Sequence, residues 1–119
     1  MIDNIKKTSN TPAIDFNGNL LKITGRSYPE YPMEFYTPLI EDLRSTKGNE
    51  LNIEFKLDYI NTASSKCILE LLKVAKSSFN FVNVVWILEE DDEDLIDLAD
   101  HLQKLTGMTF KIDLVMYDF

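Results

Sequence analysis

Between residues 57 and 67 the chain switches hydrophobic period, and that switch limits what can be built around it. Leu51-Asn52-Ile53-Glu54-Phe55-Lys56-Leu57 alternates apolar with polar, the period-two pattern of a strand with one face in a core and one nearer solvent. Beyond it Cys67, Ile68, Leu71, Leu72 and Ala75 recur at helical spacing, with Lys66, Glu70, Lys73 and Ser77 on the opposite face. This spacing predicts one amphipathic helix over residues 62–77. Asp58-Tyr59-Ile60-Asn61-Thr62-Ala63-Ser64-Ser65-Lys66 is therefore a strand-to-helix turn.

A helix start leaves backbone N–H groups without carbonyl partners, and a short oxygen-bearing side chain accepts from one of them. Asn61 or Thr62 is the N-cap on this ground. Thr62, Ser64 and Ser65 then crowd hydroxyls onto the positive end of the helix dipole, where an anion such as phosphate is favoured. Two readings stand for them: caps and first-turn residues only, or the seat of a phosphate.

Composition narrows the function. The 119 residues make one domain of modest core, and 45% hydrophobic with 27% charged residues is a globular balance. Twelve Lys and Arg against 20 Asp and Glu give a net charge of -8, which repels nucleic acid and anionic membrane surfaces. The single cysteine, Cys67, excludes an internal disulfide; on the apolar helix face it reads as a small buried hydrophobe. Residues 1–10 lack the apolar core of a signal peptide, and no run reaches the roughly 18 apolar residues of a membrane span. The expectation is a soluble, cytoplasmic protein in a reducing compartment, a single domain over 1–119.

In chain order, residues 1–10 are an arm or an edge strand. Ala13–Phe16, the turn Asn17-Gly18-Asn19 and Leu20–Thr24 form a hairpin, with Gly18 supplying a positive φ. Residues 25–32, with Pro29 and Pro32, read as an ordered loop. Phe35, Leu39, Ile40 and Leu43 predict a helix that starts near Pro32 with a kink, or at Pro38 without one, and is closed by Gly48. After the central helix, Phe79–Leu88 is nearly continuously apolar, the character of a strand buried on both faces in the sheet interior. A last helix carries Leu95, Leu98, Leu102 and Leu105 on one stripe and ends at Gly107; residues 110–116 form the final strand. The fold class is α/β, a mixed sheet of about five strands with about three helices.

Enzyme constellations are missing from the sequence. The acidic run Glu89-Glu90-Asp91-Asp92-Glu93-Asp94 lacks the spacing and central Gly of a calcium loop; it suits a helix start, with Asp91 as N-cap. His101, the one histidine, has no Cys or second His to make a ligand set or catalytic dyad. No glycine-rich phosphate loop is present, and neither a metal nor any other cofactor is expected.

Four motifs in order carry a family resemblance: Thr11-Pro12-Ala13-Ile14-Asp15-Phe16, Gly25-Arg26-Ser27-Tyr28-Pro29-Glu30, Tyr59-Ile60-Asn61-Thr62-Ala63-Ser64-Ser65-Lys66, and Glu89–Asp94. The chain resembles the SiaC family of bacterial regulatory phosphoproteins of biofilm and aggregation control, with the STAS-like fold of anti-sigma-factor antagonists. The resemblance implies a phosphate on Thr62, with Asn61, Ala63, Ser64, Ser65 and Lys66 as the surrounding partner-binding surface. It also implies a histidine-kinase-like (GHKL-type) protein kinase, a PP2C-type phosphatase, and a diguanylate cyclase stimulated by the unphosphorylated form. The older STAS signature places an acidic residue, two hydroxyls and a glycine here; Asn61-Thr62-Ala63 departs from it, which leaves Ser64 and Ser65 as rival acceptors. A regulatory switch, a constitutive STAS-type interaction module and a small-molecule or nucleotide binder are the three function classes that follow.

Overall fold

A computed structural model describes residues 2–116. The elements are β1 (Ala13–Asn17), β2 (Leu20–Ser27), α1 (Pro32–Thr46), β3 (Gly48–Ile60), α2 (Thr62–Ser78), β4 (Phe79–Glu89), α3 (Glu93–Thr106) and β5 (Lys111–Val115). They form one five-stranded sheet in the order β1-β2-β3-β4-β5, with β1 antiparallel to β2 and every later pair parallel. The predicted α/β class and mixed sheet are the observed ones.

Strand order dictates where the helices go. Each crossover steps one strand in the same direction along the sheet, and right-handed crossovers of that kind place all their helices on one face. Accordingly α2 packs against α1 on one side and α3 on the other, with β3 and β4 beneath it. The core lies between. Leu51, Ile53, Phe55 and Leu57 of β3 and Val84, Trp86 and Leu88 of β4 point into it, against Ile68, Leu71, Leu72 and Ala75 of α2. Trp86 is fully buried, stacked between Phe55 at 4.5 Å and Phe110 at 5.9 Å.

Among the described residues no helix covers the opposite sheet face, which corrects the expectation that β4 is buried on both faces. Asn83 of β4 is exposed, while Val85 and Ile87 are half-buried beside Glu54 and Lys56 of β3 and Lys111 and Asp113 of β5. Polar neighbours across the ladder shield those apolar residues instead of a second layer.

Other boundaries shift for local reasons. β2 continues through Gly25 to Ser27, where a loop is expected, because Gly25 adopts φ 117° and the pairing with β3 resumes beyond it. Of the two starts expected for α1, the one at Pro32 holds: Pro32 occupies its first turn and Pro38 lies inside the helix on its exposed side. Its most buried aromatic is Tyr36 rather than Phe35. Gly48 does not close α1 but opens β3, where a Cβ would come within 3.1 Å of the Phe79 ring. In α3 the N-cap is Asp92, accepting from the Leu95 amide at 3.1 Å, rather than Asp91. Ala99 and Thr106 complete its buried stripe, and Leu105 is exposed. The N-terminal arm runs beside β1, with Ile5 bridged to Ile14 and Ile2 buried.

Phe55 sits in the middle strand and stacks on Trp86, so the sheet and helix layers share it. Phe55→Ala is expected to lower unfolding free energy by about 3–5 kcal/mol, read as a shift of the urea midpoint at unchanged slope.

Candidate functional site

The carboxyl ends of β2 and β3 meet the start of α2, the edge of a parallel sheet at which α/β proteins characteristically place binding sites. Asn61 joins the three elements. Its amide donates to the Ser27 carbonyl at 2.8 Å, its Nδ2 donates to the Pro29 carbonyl at 3.2 Å, and its Oδ1 accepts from the Ser64 amide at 2.8 Å. Of the two candidate caps, Asn61 is therefore the one used. The Ser65 amide reaches the Asn61 carbonyl at 3.0 Å, the first intrahelical bond, so the third and fourth residues of α2 are both anchored on Asn61.

The hydroxyls that crowd this turn have different fates. Thr62 is exposed, and no described residue hydrogen-bonds its hydroxyl. Its own amide and that of Ala63 precede the first intrahelical bond, so they face outward with the dipole behind them. Ser64 is fully buried, its Oγ accepting from Ser27 Oγ at 2.9 Å. Ser65 is half-buried and its Oγ donates to the Thr62 carbonyl at 2.6 Å. Ala63 and Lys66 are exposed beside Thr62, and Asn61 is half-buried beneath it. Five of the six residues singled out in the sequence thus share an accessible or partly accessible surface, and Ser64 points the other way.

Beneath Thr62 runs a chain of hydroxyls that sequence reasoning missed. Tyr36 Oη lies 2.6 Å from Ser27 Oγ, which in turn donates to Ser64. Because Ser27 spends its proton on Ser64, the Tyr36 phenol is the donor to Ser27. Burial pushes that phenol up to about 12, which keeps the donor proton in place. No sequence spacing ties Tyr36 to Ser27 and Ser64; only the fold does.

Arg26 and Asp58 form a second feature. Between Gly25 and Arg26 the register with β3 slips, so that Gly25 pairs with Leu57 and Arg26 with Tyr59, leaving Asp58 as the inserted residue of a bulge. Its carboxylate holds the Arg26 guanidinium with two bonds, 3.2 Å to Nε and 2.9 Å to Nη2. That bidentate pair raises the Arg26 pKa further above its already high ordinary value. The bulge also carries Tyr59 out of the core, into edge-to-face contact with Tyr28 at 5.6 Å. Tyr31 and Met33, at the start of α1, are each 64% exposed, and Met33 Sδ touches Cys67 Sγ of α2 at 3.6 Å. Tyr28, Tyr31, Met33 and Tyr59 are thus large exposed side chains at the ends of β2 and β3 and the start of α1, and of these Met33 touches α2. Burial raises the Cys67 pKa, which leaves it a packed thiol rather than a nucleophile.

Among the described residues no group of three or more His, Cys, Asp or Glu side chains lies close enough to hold a metal ion, and His101 is exposed on α3. No described helix is long and apolar enough to cross a membrane.

An exposed threonine on an anchored helix start, at the carboxyl end of a parallel sheet with its helices on one face, is the arrangement of an α/β domain that presents a surface. The chain belongs to the SiaC family of regulatory phosphoproteins, whose family description matches residues 5–115. An uncharacterised protein of Pseudomonas aeruginosa strain UCBPP-PA14 is 30% identical over 116 residues, covering 91% of this chain and 92% of that one. Apo-SiaC of Pseudomonas aeruginosa is 29% identical and superposes with a TM-score of 0.76 over 94% of this chain and 99% of its own. The structure of the diguanylate cyclase SiaD in complex with its activator SiaC, from the same organism, gives a TM-score of 0.82 at 26% identity over 96% of this chain and 100% of the matched one.

Two outcomes check the site's anchoring. Asn61→Ala is expected to cost about 1 kcal/mol or somewhat more, since it removes a cap and a bond to the Pro29 carbonyl, measurable by urea denaturation. An unfolded tyrosine ionises near 10.0 whereas buried Tyr36 holds its proton to about 12. Its contribution to stability is therefore whole below pH 10 and is lost as pH rises from 10 to 12. A Tyr36→Phe protein, compared by thermal melts across that range, is expected to lack this part of the alkaline loss.

Proposed function

We propose that the protein is a single-domain, non-enzymatic switch of the cytoplasm, reversibly phosphorylated on Thr62, whose unphosphorylated form binds and stimulates a diguanylate cyclase. The observation that carries it is the contrast within one helical turn: Thr62 is exposed with an unengaged hydroxyl, while Ser64 and Ser65 are committed to hydrogen bonds. In the reaction a GHKL-type kinase would supply ATP. The Thr62 oxygen attacks the γ-phosphorus, a new P–O bond forms, the bond to the β-phosphate oxygen breaks to release ADP, and the hydroxyl proton passes to a base of the kinase. A PP2C-type phosphatase returns the threonine by hydrolysis. Membership of a family of regulatory phosphoproteins supports the modification, and the activator role of the related SiaC supports the cyclase as partner.

Charge provides the switch. Phosphate adds roughly 1.5 to 2 negative charges and three acceptor oxygens, and the outward amides of Thr62 and Ala63 can receive them without refolding the domain. A partner packed on Tyr28, Tyr31, Met33 and Tyr59 would then have to desolvate an anion at the centre of its contact, which costs several kcal/mol. Unphosphorylated, Thr62 is an uncharged hydroxyl beside the exposed Lys66, and aromatic and methionine side chains such as the exposed Tyr28, Tyr31, Met33 and Tyr59 are of the types enriched at interfaces.

The test is site-resolved mass spectrometry after incubation with magnesium-ATP and the cognate histidine-kinase-like ATPase. Phosphate is expected on Thr62 at close to one per chain and on no hydroxyl of a Thr62→Ala control; an active kinase that leaves every hydroxyl unmodified would contradict the switch. Thr62→Glu is expected to weaken cyclase binding at least about tenfold, or 1.4 kcal/mol, by calorimetry. Binding indifferent to this change would make the protein a constitutive interaction module.

A further inference from the structure

We propose that the buried hydroxyl chain Tyr36–Ser27–Ser64 selects which hydroxyl of α2 is modified, withholding Ser64 and presenting Thr62, with Ser27 as the positioning residue. The inference rests on the phosphorylation reading and adds to it the origin of its site specificity.

Thr62 and Ser64 are two residues apart, so on a helix they lie about 200° apart around the axis and cannot both face a kinase. Rotation of the first turn decides which one does. Three contacts set that rotation, and all converge on Ser64: its amide on Asn61 Oδ1 at 2.8 Å, its Oγ on Ser27 Oγ at 2.9 Å, and behind Ser27 the Tyr36 phenol at 2.6 Å. Ser27, Tyr36 and Ser64 are all fully buried. Each hydroxyl comes from a different element, β2, α1 and α2, and the chain of donors runs in one direction, ending on the Ser64 oxygen. An inward Ser64 is the arrangement that keeps both buried hydroxyl–hydroxyl bonds. Any rotation that brought Ser64 to the surface would break the Ser27–Ser64 bond and leave the buried Ser27 hydroxyl with one partner fewer, a loss in the core that disfavours that state.

Ser27 is suited to this role by its position. Its backbone carbonyl accepts the Asn61 amide at 2.8 Å while its side chain holds Ser64, so one residue of β2 fixes both the cap and the third residue of α2. The bulge at Asp58 lies immediately before, in the strand that pairs with it, and delivers Ile60 opposite Ser27. Removing the Ser27 hydroxyl leaves the backbone bond intact and cuts only the side-chain tie. The first turn should then sample rotations in which Ser64 is accessible and Thr62 is less consistently presented.

The experiment uses the whole protein with magnesium-ATP and the cognate histidine-kinase-like ATPase, comparing wild type, Ser27→Ala, Ser27→Thr and Leu102→Ala. Leu102 is buried in α3, away from the chain of hydroxyls, and its truncation lowers stability without touching the first turn of α2. Two readouts are taken: the distribution of phosphate among Thr62, Ser64 and Ser65, and the amide hydrogen exchange of Ser64 and Ser65. Wild type and Leu102→Ala are expected to carry phosphate on Thr62 alone. Ser27→Ala is expected to place at least about a tenth of its phosphate on Ser64 and to raise exchange of the Ser64 amide about tenfold or more, corresponding to 1.4 kcal/mol. Ser27→Thr, which restores a hydroxyl, should return both readouts toward wild type. Phosphate confined to Thr62 in Ser27→Ala, or the same spread in Leu102→Ala, overturns the inference while leaving the switch intact. A wild type that takes no phosphate removes the switch and this inference with it.

Discussion

Asn61 is the residue on which the functional end of the molecule depends. One side chain and one amide join the end of β2, the loop into α1 and the start of α2 through bonds of 2.8, 3.2 and 2.8 Å. A parallel strand pair cannot close on itself; each strand must leave its sheet end through a loop whose backbone groups need partners. Asn61 meets that need where two such exits coincide, and the helix that starts there inherits a fixed direction. The exposed face of its first turn is consequently a rigid surface rather than a loop tip.

Rigidity and accessibility are combined by dividing the polar groups between two layers. Below the surface, Ser27 bonds both Tyr36 and Ser64, which makes a polar cluster tolerable in an otherwise apolar core. Above it, Thr62 is exposed and left unengaged. The chain as a whole carries a net charge of -8, and Asp58 at the end of β3 is paired with Arg26. A phosphate on Thr62 would add negative charge beside the exposed Lys66 and change the local character of that surface.

The period switch at residues 57–67 made the centre of the fold legible: the amphipathic helix expected over 62–77 is observed as Thr62–Ser78, preceded by its strand and followed by β4. Local periodicity suffices where both elements pack against the same core. It failed where tertiary context chose between equivalent local signals. Phe35 and Tyr36 are adjacent aromatics, and it is Tyr36 that goes inward, where its hydroxyl meets Ser27. Val85 and Ile87 give β4 its continuous apolar run, yet they face an open sheet surface whose neighbours are polar. Leu105 continues a leucine repeat past the point where α3 still covers the sheet, and Thr106 turns inward instead, its hydroxyl donating to the Leu102 carbonyl at 2.7 Å. At the site the threonine and its flanking residues were visible in sequence, whereas the division of the hydroxyls into buried and exposed was not, since it depends on which way one turn of helix faces.

The most direct measurement of the central claim is cyclic dinucleotide production by the diguanylate cyclase proposed as its partner, titrated with this protein in two forms: unmodified, and stoichiometrically phosphorylated on Thr62. Stimulation that saturates with the unmodified form and is absent with the phosphorylated one is the expected result. Equal stimulation by both forms would contradict the claim that charge at the start of α2 is what the partner senses.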